Sequence, residues 1–83
     1  MNKILIELNV PLIGKNFDVF IPTNRKLNRI LKLLKKSIND LSDGAYPIDY
    51  ESILCDYSSG QIYELDKTIK ELNIRNGSKI IIL

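Results

Sequence analysis

Residues 23–41, TNRKLNRILKLLKKSINDL, decide the fold of this chain. Their large apolar residues recur at spacings of one, three and four, which is typical of an amphipathic helix with one apolar stripe. Because Thr23 is a residue type that caps helix N-termini, we predict a helix from Thr23 to Leu41. The stripe comprises Leu27, Ile30, Leu31, Leu34, Ile38 and Leu41. Such a stripe must pack against another apolar surface, which the rest of the chain has to supply.

Two segments before the helix predict an antiparallel β-hairpin. From Lys3 to Val10, and again from Phe17 to Ile21, the side chains alternate in the way typical of strands with one buried face. Pro11 and Gly14 interrupt this alternation and place the turn between the two strands. The hairpin therefore offers the helix an apolar face.

The segment after the helix predicts a second hairpin. Gly44 supplies the positive φ with which many helices end. The apolar run from Ile53 to Tyr57 is followed by a Ser-Ser-Gly loop and by a second run from Ile62 to Leu65. Two short runs separated by such a loop are predicted to pair as strands.

The C-terminal segment predicts a helical turn and a last strand. Asp66 can cap a single turn from Lys67 to Leu72, and the Asn-Gly pair at 76–77 precedes a strand from Lys79 to Leu83. This strand is apolar on both faces, which is typical of a central strand. The order predicts an α+β fold of β-grasp type, with one helix across one face of a mixed sheet of four or five strands. We expect residues 1–83 to form a single domain.

Composition and charge exclude several classes of protein. The chain has 83 residues, a net charge of +2, one cysteine and no histidine. One cysteine permits no internal disulfide, and without histidine there is no zinc site of the usual Cys/His kind. No apolar run is long enough for a signal peptide or a membrane span, so we expect a cytoplasmic protein. A net charge so near zero gives no argument for nucleic acid.

The sequence predicts no catalytic, metal or cofactor site. Cys55 lies beside Asp56 in a chain without histidine, so it lacks the base or cation that activates a thiol, and we interpret it as a core residue. The acidic residues of the loops are Asp40, Asp43, Asp49, Glu51 and Asp56. Their spacing fits no EF-hand, and the glycines are too scattered for a phosphate-binding loop. We therefore expect a protein that is not an enzyme.

The segment TIKELNIRNGS, residues 68–78, carries a family resemblance together with the strand that follows it. It is similar to the stretch of ubiquitin in which a Thr-Leu turn and an Asn-Ile pair precede the last strand. Among ubiquitin-like domains, the chain resembles YukD of bacilli and EsaB of staphylococci, small bacterial proteins of type VII secretion. The resemblance implies a non-catalytic adaptor on the cytoplasmic side, with a protein partner such as a membrane component of that apparatus.

One departure from ubiquitin concerns conjugation. Ubiquitin and the sulfur carriers of thiamine and molybdopterin synthesis end in Gly-Gly, because only a flexible, unhindered tail enters an activating enzyme. This sequence ends at Leu83 without Gly-Gly, and the YukD-like proteins lack the motif too. We therefore expect neither conjugation nor sulfur transfer. Two alternatives stay open: a ubiquitin-like binding module outside secretion, and a protein of sulfur-carrier type that lacks its Gly-Gly tail.

The polar face of the helix is the first candidate partner site. A basic row recurs there at spacings of four, three and four and comprises Arg25, Arg29, Lys32 and Lys36. Like charges at these spacings destabilise a helix slightly, so the basic row is a candidate contact for an acidic protein surface or for anionic lipid. The simpler interpretation is a solvated face. Nucleic acid is disfavoured because no aromatic residue accompanies the cations.

The face of the sheet away from the helix is the second candidate partner site. If Ile4, Ile6, Val19, Cys55, Ile80 and Ile82 point towards the helix, the apolar residues on the open face are Leu5, Phe20, Leu54 and Ile81. Exposed apolar clusters often mark interaction sites, and this one could also join two copies of the chain, so both a monomer and a homodimer stay open. A shift of one residue in the third strand would exchange Leu54 with Ile53 and Cys55.

Overall fold

The chain folds into a mixed four-stranded sheet with one α-helix across it. The computed structural model describes residues 2–49 and 51–83, and its elements are β1 (Lys3–Val10), β2 (Lys15–Pro22), α1 (Leu27–Leu41), β3 (Leu54–Asp56) and β4 (Lys79–Ile82). The strand order is β2-β1-β4-β3. β1 is antiparallel to β2 and parallel to β4, while β3 is antiparallel to β4. The predicted α+β arrangement and the central position of the last strand are confirmed.

The first hairpin forms as its alternation predicts. β1 and β2 pair over their whole lengths, from Lys3 opposite Pro22 to Val10 opposite Lys15. The connection is a short 3₁₀ turn, Pro11–Ile13, that ends at Gly14 with φ 63°. Pro11 suits the first position of this turn because it needs no hydrogen-bond acceptor for its nitrogen, and Gly14 suits the left-handed position because it has no Cβ.

The helix begins four residues later than predicted. Thr23 lies outside α1, which starts at Leu27 without any side-chain cap. The first helical N–H groups bond instead to backbone carbonyls of a distant segment: Leu27 donates to Lys67 at 2.8 Å and Asn28 to Leu65 at 2.8 Å. Because these carbonyls satisfy the open N–H groups, the start of the helix is decided by a tertiary contact, which local capping rules do not reveal.

The apolar stripe of α1 is buried except at its end. The five residues Leu27, Ile30, Leu31, Leu34 and Ile38 are all buried. Leu41, predicted to belong to the stripe, is 61% exposed, because it is the last helical residue and the chain turns away after it. The helix does end in a left-handed turn, but its first left-handed residue is Asp43, with φ 54°, and not the predicted Gly44. Gly44 follows with φ 84°, and its N–H donates to the carbonyl of Asn39 at 2.8 Å.

The core lies between α1 and the inner face of the sheet, and it includes one residue that the sequence placed in a loop. Tyr46 is fully buried, and its hydroxyl group is hydrogen-bonded to that of Ser52. Its backbone is tied to the end of the helix, since its carbonyl accepts from the Asn39 side chain at 2.7 Å and its N–H donates to Ser42 Oγ at 3.1 Å. These bonds let a loop residue fill the core without leaving polar groups unsatisfied.

The predicted second hairpin is only partly formed. β3 has three residues, and the segment 62–65 is not a strand; it contributes an isolated bridge between Ile62 and Cys55. Asp56 holds the tight turn between them, because its Oδ2 accepts from the N–H of Ser59 at 2.9 Å and from the Ser59 hydroxyl at 2.8 Å. These bonds lower the pKa of Asp56. A sheet of five strands is therefore not found among the described residues.

The helical turn before β4 is capped by Thr68 and not by Asp66. Thr68 N–H donates to Glu71 Oε1 at 2.9 Å, and Glu71 N–H donates to Thr68 Oγ1 at 3.2 Å, which is a reciprocal capping box. The bonds from Thr68 lower the pKa of Glu71. Asp66 is displaced from the predicted role because its neighbours Leu65 and Lys67 are held at the start of α1. Gly77 then turns the chain into β4 with φ 89°.

Candidate partner-binding surfaces

The register of β3 decides which residues reach the open face of the sheet. Leu54 lies opposite Ile82 in the ladder, and both side chains are fully buried in the core. The prediction that Leu54 is exposed on the open face is therefore wrong. Cys55 lies opposite Ile81 instead, on the face away from the helix. Although this face is open, Cys55 is buried there, with only 4% of its surface exposed. One step of register exchanges the two faces of a strand, and three residues were too few to define it from sequence.

The open face carries an apolar cluster, which we call the outer patch, at the β3–β4 end of the sheet. Ile53 and Leu83 exchange two backbone hydrogen bonds of 2.9 Å just beyond the strands, and Ile62 bridges Cys55, which sits opposite Ile81. By strand alternation these side chains share one side of the sheet. The outer patch comprises Ile53, Cys55, Ile62, Ile81 and Leu83. Of its residues, only Ile81 was correctly assigned to this face from the sequence; the rest follow once the register of β3 is known.

A polar contact divides the open face. Glu7 lies opposite Lys79, and Lys79 Nζ is 3.6 Å from Glu7 Oε2 and 5.3 Å from the centre of the Tyr57 ring. Both charged side chains are well exposed, so the ion pair adds only about 0–1 kcal/mol to stability. On the far side of this contact, Leu5 lies opposite Phe20. The predicted patch is thus two separate clusters, with Leu54 in neither.

The basic row borders a groove between α1 and β2, which we call the basic groove. Its volume is about 1220 Å³, and its lining includes Phe20, Pro22, Arg25, Arg29, Lys32 and Leu33. Lys36, the fourth residue of the basic row, does not line it. Lys3 adds a fourth cation, and no Asp or Glu is among the described residues that form the lining. The sequence showed the cations, but it gave no sign that two apolar side chains, Phe20 and Leu33, lie beside them.

The ionisable side chains whose pKa is shifted lie in or beside turns. Besides Asp56 and Glu71, Tyr63 is affected: burial and the nearby Asp56 charge raise the pKa of Tyr63 to about 12, and its hydroxyl donates to Asp56 Oδ1 at 3.3 Å. Cys55 is buried. Over residues 2–49 and 51–83, no group of three or more His, Cys, Asp or Glu side chains is placed to hold a metal ion. Within the same ranges, no helix combines the length and the apolar character needed to cross a membrane.

Comparison with solved structures identifies the class of fold. The chain superposes over its full length on the ubiquitin-like domain of the Mycobacterium tuberculosis type VII secretion system protein EccD1, with a TM-score of 0.77, 9% identity and 99% of that chain covered. The EccD5 ubiquitin-like domain of Mycobacterium xenopi gives 0.73, 10% identity and 94% coverage, again over all of this chain. A designed protein based on ubiquitin gives 0.69 at 16% identity, covering 99% of this chain and 88% of its own.

This protein therefore has a ubiquitin-like fold, structurally similar to ubiquitin-like domains of type VII secretion proteins. No protein-family model matches the chain, and no curated protein sequence does either. At identities this low, the likeness establishes the fold and leaves the function to be argued from the surfaces.

Proposed function

We propose that this chain is a non-catalytic, non-conjugating ubiquitin-like adaptor of a bacterial type VII secretion system, acting in the cytoplasm. The observation that carries the proposal is the match in both directions with the EccD1 domain, which covers 100% of this chain and 99% of that one, so neither has a large insertion relative to the other. The resemblance to YukD and EsaB, which rests on the length of the chain, its N-terminal strand and the Ile74-Arg75-Asn76-Gly77 segment before the last strand, supports the same role. The partner would be a protein, and a membrane component of the secretion apparatus is the first candidate.

The outer patch suits an adaptor. Ile62 is 59% exposed and Leu83 47%, whereas Cys55 below them is buried, so an incoming surface would meet a firm apolar floor with exposed side chains around it. Burying one such side chain completely contributes about 1.5–3 kcal/mol, which would offset part of the cost of about 4 kcal/mol or more that association carries in lost freedom of motion. Such a surface binds a partner without any chemistry at the site.

The proposal that the chain is not conjugated rests on the family resemblance. In addition, the backbone of Leu83 is tied to Ile53 by two hydrogen bonds of 2.9 Å, so up to Leu83 the chain is part of the sheet and not a flexible tail. Incubation with ATP and an activating enzyme, followed by mass spectrometry, should yield no adenylate. An adenylate would favour the alternative of a sulfur-carrier type of protein.

Deletion of the gene in the bacterium that encodes it tests the secretion role. We expect the export of the small helical WXG-type substrates to fall, and wild-type protein supplied in trans to restore it. Ile62→Asp should fail to restore export, because a carboxylate in the outer patch opposes its burial at an interface. Ile48→Asp is the matched control, since Ile48 is also exposed, at 52%, but lies in the loop before β3.

Unchanged export after deletion would refute the secretion role and favour a ubiquitin-like binding module acting elsewhere. Sedimentation of wild type against Ile62→Asp separates a monomer from a homodimer formed through the outer patch. A monomer in both cases removes the dimer, and a dimer that the substitution dissociates supports it.

A further inference from the structure

The β2 strand leaves a row of backbone groups without a neighbouring strand. β2 is at the edge of the sheet. In β1, Leu5 accepts from Gly77 N–H at 2.7 Å and donates to the Asn76 side chain at 2.8 Å, so its backbone polar groups face β4. Residues directly opposite in an antiparallel pair both face each other or both face away. Phe20, opposite Leu5, therefore turns its N–H and C=O to the free edge.

The same reasoning applies one pair further along. Glu7 N–H donates to the carbonyl of Ser78 at 2.9 Å, on the β4 side, so Asp18 opposite Glu7 also turns its backbone groups outward. Within the described residues, Asp18 and Phe20 thus offer two N–H and two C=O groups to a further strand, at the spacing that a strand requires.

The side chains beside this free edge have a definite chemistry. Arg29 and Lys32 of α1, with Arg25 just before it, line the basic groove, and none of the three is in an ion pair among the described residues. Phe20 is 70% exposed and Leu33 56%, and both border the same groove. An extended segment laid against β2 would therefore meet cations and apolar surface together. Asp18, the acid on this part of β2, does not line the groove.

We propose that an extended acidic segment of a partner protein, carrying at least one apolar side chain, adds to the sheet as a fifth strand along β2 and lies in the basic groove. Its backbone would pair with Asp18 and Phe20, and its carboxylates would bind Arg25, Arg29 or Lys32. Because its side chains alternate between the two faces, one apolar side chain would pack on Phe20 on the open face or on Leu33 on the helix side. The inference goes beyond the proposed function, because the basic groove is a second surface that shares no residue with the outer patch.

A strand fits the groove better than an anionic membrane or a nucleic acid does. A lipid surface would use the cations but would leave the free backbone groups of β2 unpaired, and it would draw equally on Lys36, which lies outside the groove. A nucleic acid would use aromatic side chains for stacking, and Phe20 is the only aromatic residue among those described that line the groove. Backbone pairing is available only to another polypeptide.

Selection from displayed random peptides tests the chemistry of the segment. The intact chain is immobilised and offered peptides as long as the eight residues of β2. We expect the selected peptides to be enriched in Asp and Glu together with Val, Ile or Leu. No enrichment, or enrichment of basic or uncharged peptides, would overturn the inference.

Two charge reversals on one helix locate the binding site. Lys32 and Lys36 are both exposed residues of α1, but only Lys32 lines the basic groove. For a synthetic copy of a selected peptide, Lys32→Glu should weaken binding by about tenfold or more, the effect of losing a charge-assisted contact, and Lys36→Glu by less than about threefold. Equal weakening would point to long-range attraction alone and would contradict a groove-bound strand.

Hydrogen exchange tests the backbone pairing directly. The amide protons of Asp18 and Phe20 should exchange more slowly when the peptide is bound, and unchanged exchange at saturating peptide would rule out strand addition. Vesicles of phosphatidylglycerol are the membrane arm: binding to vesicles without binding to any selected peptide would replace the inference by a lipid contact. These measurements use the purified chain and do not depend on export in the bacterium. A negative result for peptide binding would therefore leave the secretion role standing, and unchanged export would leave the peptide-binding inference standing.

Discussion

The hydroxyl groups of Tyr46 and Ser52 are hydrogen-bonded to each other inside the core. Tyr46 belongs to the loop after α1, yet it is fully buried, and Ser52 is buried with it. The pair joins the loop to the segment that leads into β3, a strand of only 3 residues. A polar contact in so small a core has measurable consequences.

Removal of the Tyr46 hydroxyl should destabilise the fold. We expect Tyr46→Phe to lower the free energy of unfolding by about 1–2 kcal/mol, since it removes a partner of a buried hydroxyl group. Tyr46→Ala should cost about 3–5 kcal/mol because it also opens a cavity. Urea denaturation measures both. Tyr57→Phe is the control, since Tyr57 is 49% exposed; equal losses for the Tyr46 and Tyr57 variants would contradict the buried contact.

The register of β3 can be tested with two leucines. Leu54→Ala should cost about 2–5 kcal/mol, because its side chain is fully buried opposite Ile82. Leu41→Ala should change stability by no more than about 0.5 kcal/mol, because Leu41 is exposed at the end of α1. Thermal or urea denaturation reports both values. A large loss for Leu41→Ala together with a small one for Leu54→Ala would restore the arrangement expected from the sequence.

Glu71 should contribute to the stability of the fold only in its charged form. Hydrogen bonds from Thr68 lower its pKa from the ordinary value of 4.5, so its contribution is complete above that pH and is lost as the pH falls through the lower folded value. Glu71→Gln should therefore lose less stability than wild type on acidification below pH 4.5. Glu64→Gln, an exposed substitution with the same change of charge, serves as the control. Parallel acid profiles for wild type and Glu71→Gln would disprove the capping role of the carboxylate.

Tyr63 gives the fold a limit at high pH. Its pKa is raised from 10.0 to about 12, so the folded chain holds the proton more tightly than the unfolded chain does. The stabilisation is complete below pH 10 and is lost as the pH rises to about 12. In a titration followed by the ultraviolet absorbance of tyrosinate, Tyr63→Phe should remove a step near pH 12. Loss of a step near pH 10 instead would show that Tyr63 is not shielded.

Much of the architecture could be predicted because it is written in local periodicity. The alternation from Lys3 to Val10, the stripe from Leu27 to Ile38 and the apolar last strand each bury one face or two, and each forms as expected. The resemblance of residues 68–78 to a stretch of ubiquitin agrees with the ubiquitin-like fold of the chain. Sequence also placed Arg29, Lys32 and Lys36 on one face of the helix, since charges at helical spacing share a face wherever the helix packs, whereas Arg25 lies before the first residue of α1.

Three of the errors concern segments whose partners are distant in the chain, whereas those at Leu41 and Asp66 are local, at the end of α1 and beside the Thr68–Glu71 capping box. Thr23 has the chemistry of a cap, but carbonyls of Leu65 and Lys67 took that role. The segment 62–65 has the composition of a strand, but it makes only one bridge. Leu54 and Cys55 are both apolar, so nothing local told them apart. In each case, short segments were assigned by propensity alone, and tertiary contacts overrode it.

The sequence by itself determined the helix, the two long strands, the central last strand and the cations that α1 carries, because periodic burial and charge spacing are properties of a single element. Only the tertiary structure decided the face on which Leu54 lies, the burial of Tyr46, and the meeting of Phe20 and Leu33 with those cations beside a free strand edge. These features depend on pairing register and on contacts between elements far apart in the chain, which no local pattern encodes.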